Sequence, residues 1–104
     1  MGARKPYAVR LEGAPSALVM GRQFAVYLVG GECEWFFVHS PPGRASQYVV
    51  SHKRSGQFVC GVPGATLHAC RWDIVAAGRI ALDEKEAQIG PEQFWSSIAA
   101  APGL

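Results

Sequence analysis

The sequence predicts an α+β domain: a twisted antiparallel sheet of five to six short strands followed by one or two C-terminal helices packed on one face. Three observations predict it. Residues 24–38, FAVYLVGGECEWFFV, are rich in branched and aromatic side chains, which suit a pleated surface, and contain no proline. Short apolar segments separated by turn residues recur from Tyr7 to Val62. From Ala65 the composition shifts to Ala, Ile and scattered charge, with residues that start and stop helices.

In chain order, residues 1–6 are polar, basic and end in Pro6, and they read as a flexible arm. Tyr7, Val9 and Leu11 alternate with Ala8 and Arg10, the pattern of a half-buried strand over 7–11. Gly13-Ala14-Pro15-Ser16 is a turn, 17–20 a short strand, and Gly21-Arg22-Gln23 a second turn into the central hairpin. That hairpin pairs 24–29 with 34–39 across Gly30-Gly31, whose freedom at positive φ suits a tight type I′ turn. Pro41 and Pro42 exclude the following loop from any central strand. Strands over 47–52 and 57–62 then flank Lys53-Arg54-Ser55-Gly56, with Gly56 suited to the left-handed position of the loop.

Thr66 is a cap for a helix over 67–77 ending at Gly78, with a strand through 70–75 as the alternative. Asp83 and Glu86 fit a capping box. Pro91 opens a final helix over 91–101, with Glu92 near its positive end and Phe94, Trp95 and Ile98 as its apolar stripe. Pro91-Glu92-Gln93-Phe94-Trp95 resembles the start of the terminal helix of single-stranded-DNA-binding transcriptional coactivators. The match spans five residues, carries over no residue roles, and assigns the chain to no family.

Length and composition set the function classes. With 104 residues the chain is expected to be a single domain, 1–104, able to bury a core without staples. A formal charge of +2 calls for no polyanionic partner. The charge is uneven: eight of ten basic residues lie at or before Arg71, and five of eight acids after it. The simplest account is mutual attraction within the fold. No secretory signal, no run long enough for a membrane span and no myristoylation signal is read, so a cytoplasmic protein is expected. Cys33, Cys60 and Cys70 are odd in number and lack Cys-x-x-Cys; they read as buried thiols, and with His39 and His68 they do not match zinc spacing. No Gly-x-Ser-x-Gly or phosphate loop appears, the few carboxylates mostly cluster at the acidic helix start where dipole and capping explain them, and His39, His52 and His68 have no local nucleophile signature. No catalytic residue, metal or cofactor is expected, and the chain reads as a non-enzyme.

Two functional readings remain. On the central hairpin Phe24, Val26 and Leu28 lie on one face and Ala25, Tyr27 and Val29 on the other; Trp35 and Phe37 oppose Phe36 and Val38. Both faces are apolar, while the C-terminal stripe covers one. The first reading is therefore a small protein-protein interaction module, a regulator or inhibitor subunit or a homodimer, whose apolar sheet face or edge binds through Tyr27, Trp35 and Phe37. The alternative is a nucleic-acid-binding module using Arg44, Lys53 and Arg54 around a basic hairpin tip. A thiol enzyme ranks third.

Overall fold

A computed structural model describes residues 4–11, 14–28, 31–44 and 46–104. Five strands, β1 (Lys5–Leu11), β2 (Ala14–Tyr27), β3 (Cys33–His39), β4 (Tyr48–His52) and β5 (Phe58–Val62), form one antiparallel meander in the order β1-β2-β3-β4-β5. Three helices follow: α1 (Gly64–Ala69), α2 (Ile74–Ile89) and α3 (Pro91–Ala100). The α+β arrangement is the one the sequence predicts, and the sheet is not closed. The ladder puts Phe24 opposite Phe36, Val38 opposite Val50, and Val50 opposite Cys60. These side chains form the main core with Leu67, Ile74, Ala77, Leu82, Phe94 and Ile98 of the helices.

Local chemistry explains where the elements depart from expectation. β1 starts at Lys5, inside the stretch expected to be an arm; as an edge strand it tolerates Pro6. The two strands expected over 17–20 and 24–29 are one strand of 14 residues. Gly21 does not turn the chain: it pairs with Lys5 on one side and His39 on the other. A Cβ there would lie 2.7 Å from the Val38 carbonyl oxygen, so only glycine permits this double pairing. The central hairpin has a longer connection than a type I′ turn. Leu28 N–H donates to the Glu32 carbonyl at 2.7 Å and Gly31 N–H to the Leu28 carbonyl at 3.2 Å. Gly31, at φ +88, is in the left-handed region that favours glycine. Val29 and Gly30 of the expected turn lie outside the described residues.

The helical region is also divided differently. The helix expected over 67–77 stops at Ala69, and Arg71 and Trp72 take positive φ of 54 and 64. Asp73 then caps α2, accepting from Ala76 N–H at 3.1 Å. Gly78 and Asp83, read as a stop and a start, both lie inside α2. Gly78 sits where the helix crosses the sheet: a Cβ would come within 2.4 Å of Val38 Cγ2. α3 follows the sequence reading, with Pro91 in the first turn and Phe94 and Ile98 buried.

The helices cover one face only. The second face is covered at its centre by the chain's own N-terminal ribbon. Tyr7 stacks on Phe37 with centroids 4.6 Å apart and planes at 17°. Tyr7, Val9, Val19 and Phe37 make a second buried cluster. The covering leaves the buried Tyr7 hydroxyl without a hydrogen-bond partner among the described residues. A clasp holds the ribbon down. Arg10 N–H donates to the Gly56 carbonyl and Arg10 Nε to the Ser55 carbonyl, each at 2.8 Å. The far end of the same guanidinium donates to the Pro102 and Gly103 carbonyls, both at 3.1 Å.

Candidate functional site

The three aromatic residues expected at a partner surface are separated by the fold. Phe37 is fully buried beneath Tyr7, so it belongs to the core and not to a contact surface. Local alternation shows that a face is apolar; it does not show that a ribbon some 30 positions upstream folds over it. Tyr27 and Trp35 stay accessible, at 76% and 38% exposure. Trp35 pairs with Ala25 and Tyr27 with Cys33, so the two rings are diagonal neighbours on one face of adjacent strands. Lys53 Nζ lies 5.6 Å from the Trp35 centroid and donates to Gln23 Oε1 at 3.1 Å.

The basic residues are likewise divided. Arg54 is not free for phosphate. Its guanidinium donates to the carbonyls of Ala101 (2.6 Å) and Ile98 (2.9 Å), satisfying the exposed end of α3. Lys53 is committed to Gln23 and Trp35. Arg44 is exposed in the loop after β3, and no side-chain bond to it is present among the described residues.

Two serine–histidine pairs emerge that the sequence reading did not assemble. His52 Nδ1 lies 2.8 Å from Ser55 Oγ, and His52 Nε2 lies 3.2 Å from a Glu34 carboxylate oxygen. Because a carboxylate only accepts, Nε2 carries the proton and Nδ1 accepts from the Ser55 hydroxyl. Ser55 Oγ accepts in turn from Gln57 N–H at 3.3 Å. These are hydrolase residue types, yet Ser55 has no exposed surface. A nucleophile must be reachable, so this group fastens the hairpin tip instead. The second pair is His39 and Ser51, diagonal neighbours on β3 and β4, since His39 is opposite Val49 and Ser51 opposite Phe37. His39 Nδ1 faces the Ser40 carbonyl at 2.9 Å and Nε2 faces Ser51 Oγ at 2.8 Å. The carbonyl fixes the proton on Nδ1, so Nε2 accepts from the Ser51 hydroxyl. Register alone brings these residues together, and it cannot be read from local spacing.

Burial lowers the pKa of both His39 and His52; for His52 the Glu34 carboxylate opposes the shift. The unfolded chain therefore binds more protons than the folded one below the ordinary histidine value of about 6.5. Stability present above that value is lost as pH falls through the folded pKa values. The thermal midpoint should hold steady down to about pH 6.5 and decline toward pH 5, and His39→Gln should flatten the decline. A midpoint rising over that interval in calorimetry contradicts the linkage.

The cysteines offer little chemistry. Cys60 is buried, and burial pushes its thiol up to about 11, well away from a reactive thiolate. Cys33, expected to be buried, is exposed, and Cys70 is half-buried. Among the described residues, no group of three or more His, Cys, Asp or Glu side chains could hold a metal ion. No helix among them is long and apolar enough to cross a membrane. No protein-family model, no curated protein and no solved structure matches the chain.

Proposed function

We propose that the chain is a non-enzymatic protein-interaction module whose first partner is a second copy of itself, met through the exposed sheet surface around Tyr27 and Trp35. The observation that carries this reading is the pair of diagonal aromatic neighbours left open beside a face covered at its centre. Large rings at the centre of a contact supply most of its binding energy. A copy of the same surface is a fitting partner because the open rings offer apolar area that is self-complementary, and a two-fold contact brings like surfaces together. Lys53 is drawn aside onto Gln23 and Trp35, at the margin of that area. The nucleic-acid reading draws less support, since the Arg54 guanidinium is committed to the end of α3.

Sedimentation over a concentration series tests this reading. A dimer is expected, and Tyr27→Lys, at a side chain mostly in solvent, should weaken it at least about tenfold, or ~1.4 kcal/mol. Trp35→Ser should act in the same direction with an unchanged circular dichroism spectrum. A monomer at every concentration, or a dimer indifferent to both variants, sinks the proposal.

A further inference from the structure

A cleft of about 340 Å³ opens between the end of β1, the end of β3, the loop carrying Pro41 and Pro42, and β4. Its volume lies at the lower end of small-molecule sites, which start near about 300 Å³. The walls are apolar: Val9 and Leu11 on one side, Val49 and Phe58 on the other. Phe58 is 64% exposed, so a ring of large area is left without a covering group at this edge. Neither Tyr27 nor Trp35 lines the cleft, so it is independent of the surface proposed above.

The charged residues of the cleft lining carry one sign. Among the described residues its lining includes Arg10 and Arg44 and no carboxylate. The Arg10 guanidinium is engaged by three backbone carbonyls, which neutralise none of its charge. Arg44 is exposed at the mouth, and no side-chain partner occupies it among the described residues. At the floor the Ser51 hydroxyl proton is committed to His39 Nε2, and both side chains are neutral, so nothing there demands a charged ligand group. The demand for an anion is at the rim and the demand for apolar surface is inside.

We infer that this cleft binds a small amphipathic carboxylate, its apolar tail between Val9, Val49 and Phe58 and its carboxylate paired with Arg44. A carboxylate suits the site better than a more highly charged phosphate because one guanidinium fork is available, and its two parallel N–H groups match two carboxylate oxygens. Burial of the tail supplies affinity, and the arginine supplies orientation and discrimination by sign.

Octanoate, octylamine and octanol titrated into the isotope-labelled protein, followed by amide NMR shifts, test the inference. Octanoate should move the amides of Val9, Val49, Ser51 and Phe58 saturably. Octylamine should bind at least about tenfold more weakly, with octanol in between. Arg44→Glu, at an exposed loop position that does not threaten folding, should remove the preference for octanoate over octylamine. A second variant, Val49→Trp, should fill the space and abolish binding of all three. Shifts confined to other regions, equal binding of the acid and the amine, no saturable shift, or a preference unchanged by Arg44→Glu each overturn it. None of these results bears on the dimer, so the two proposals fail separately.

Discussion

Phe36→Ala is expected to destabilise the fold by about 3–5 kcal/mol, the usual range for removing a buried phenylalanine ring. Phe36 has no exposed surface and stands at the junction of three elements. Its ring lies 5.9 Å from Phe24 of β2, 5.4 Å from His52 of β4 and 6.1 Å from Trp95 of α3, the last edge-on at 69°. Removing it leaves a void walled by strands on two sides and a helix above. The strands cannot shift inward without breaking ladder bonds, so little of the void will collapse. Against a total stability of roughly 5–15 kcal/mol for a domain, the loss is large. Urea unfolding reads it as a lower midpoint at an unchanged slope. A loss below about 1 kcal/mol would mean that the ring is not packed this way.

Gly56→Ala is the second large effect, and a paired variant separates its two causes. Gly56 has φ +69, where an alanine costs about 1–2 kcal/mol from backbone sterics alone. Its Cβ would also meet the Ala8 carbonyl oxygen at 2.9 Å and the Arg10 nitrogen at 3.2 Å, backbone atoms that cannot swing aside. Gly31 has φ +88 and, among the described residues, nothing within 4 Å of the same position. Gly31→Ala should therefore show the backbone cost alone, and Gly56→Ala that cost plus roughly another 1 kcal/mol or more of crowding. Equal losses in the two variants would show that β1 does not press on the hairpin tip.

Legibility in the sequence followed the range of the interaction. The strands from Tyr7 to Val62 and the helix at Pro91 rest on local patterns, and alternation or caps revealed them. Two glycines carried a different kind of information. Gly21 and Gly78 were both read as loop or end residues, which is what glycine means locally. Gly21 and Gly78 instead let Val38 be approached from two sides, by a neighbouring strand and by a crossing helix. A helix interior accepts a glycine at about 1 kcal/mol when such an approach repays it, and nothing adjacent in sequence marks the difference. The candidate site was legible in half. Tyr27 and Trp35 were picked out as aromatic residues on an apolar face, and they are open. Phe37 was grouped with them because it shares their face, and its cover comes from Tyr7. The His39–Ser51 pair depends on strand register, and Arg54 on where α3 ends, so neither was visible beforehand.

The Arg10 clasp also bears on how the chain reaches this state. All strand pairings join consecutive strands across short connections, so each hairpin closes at small entropic cost. Arg10 and Ser55 are 45 positions apart, and their meeting requires the sheet between them to exist already. It is thus a latch and not a seed: assembly proceeds through the hairpins, and the latch governs how readily the N-terminal ribbon lifts off afterwards.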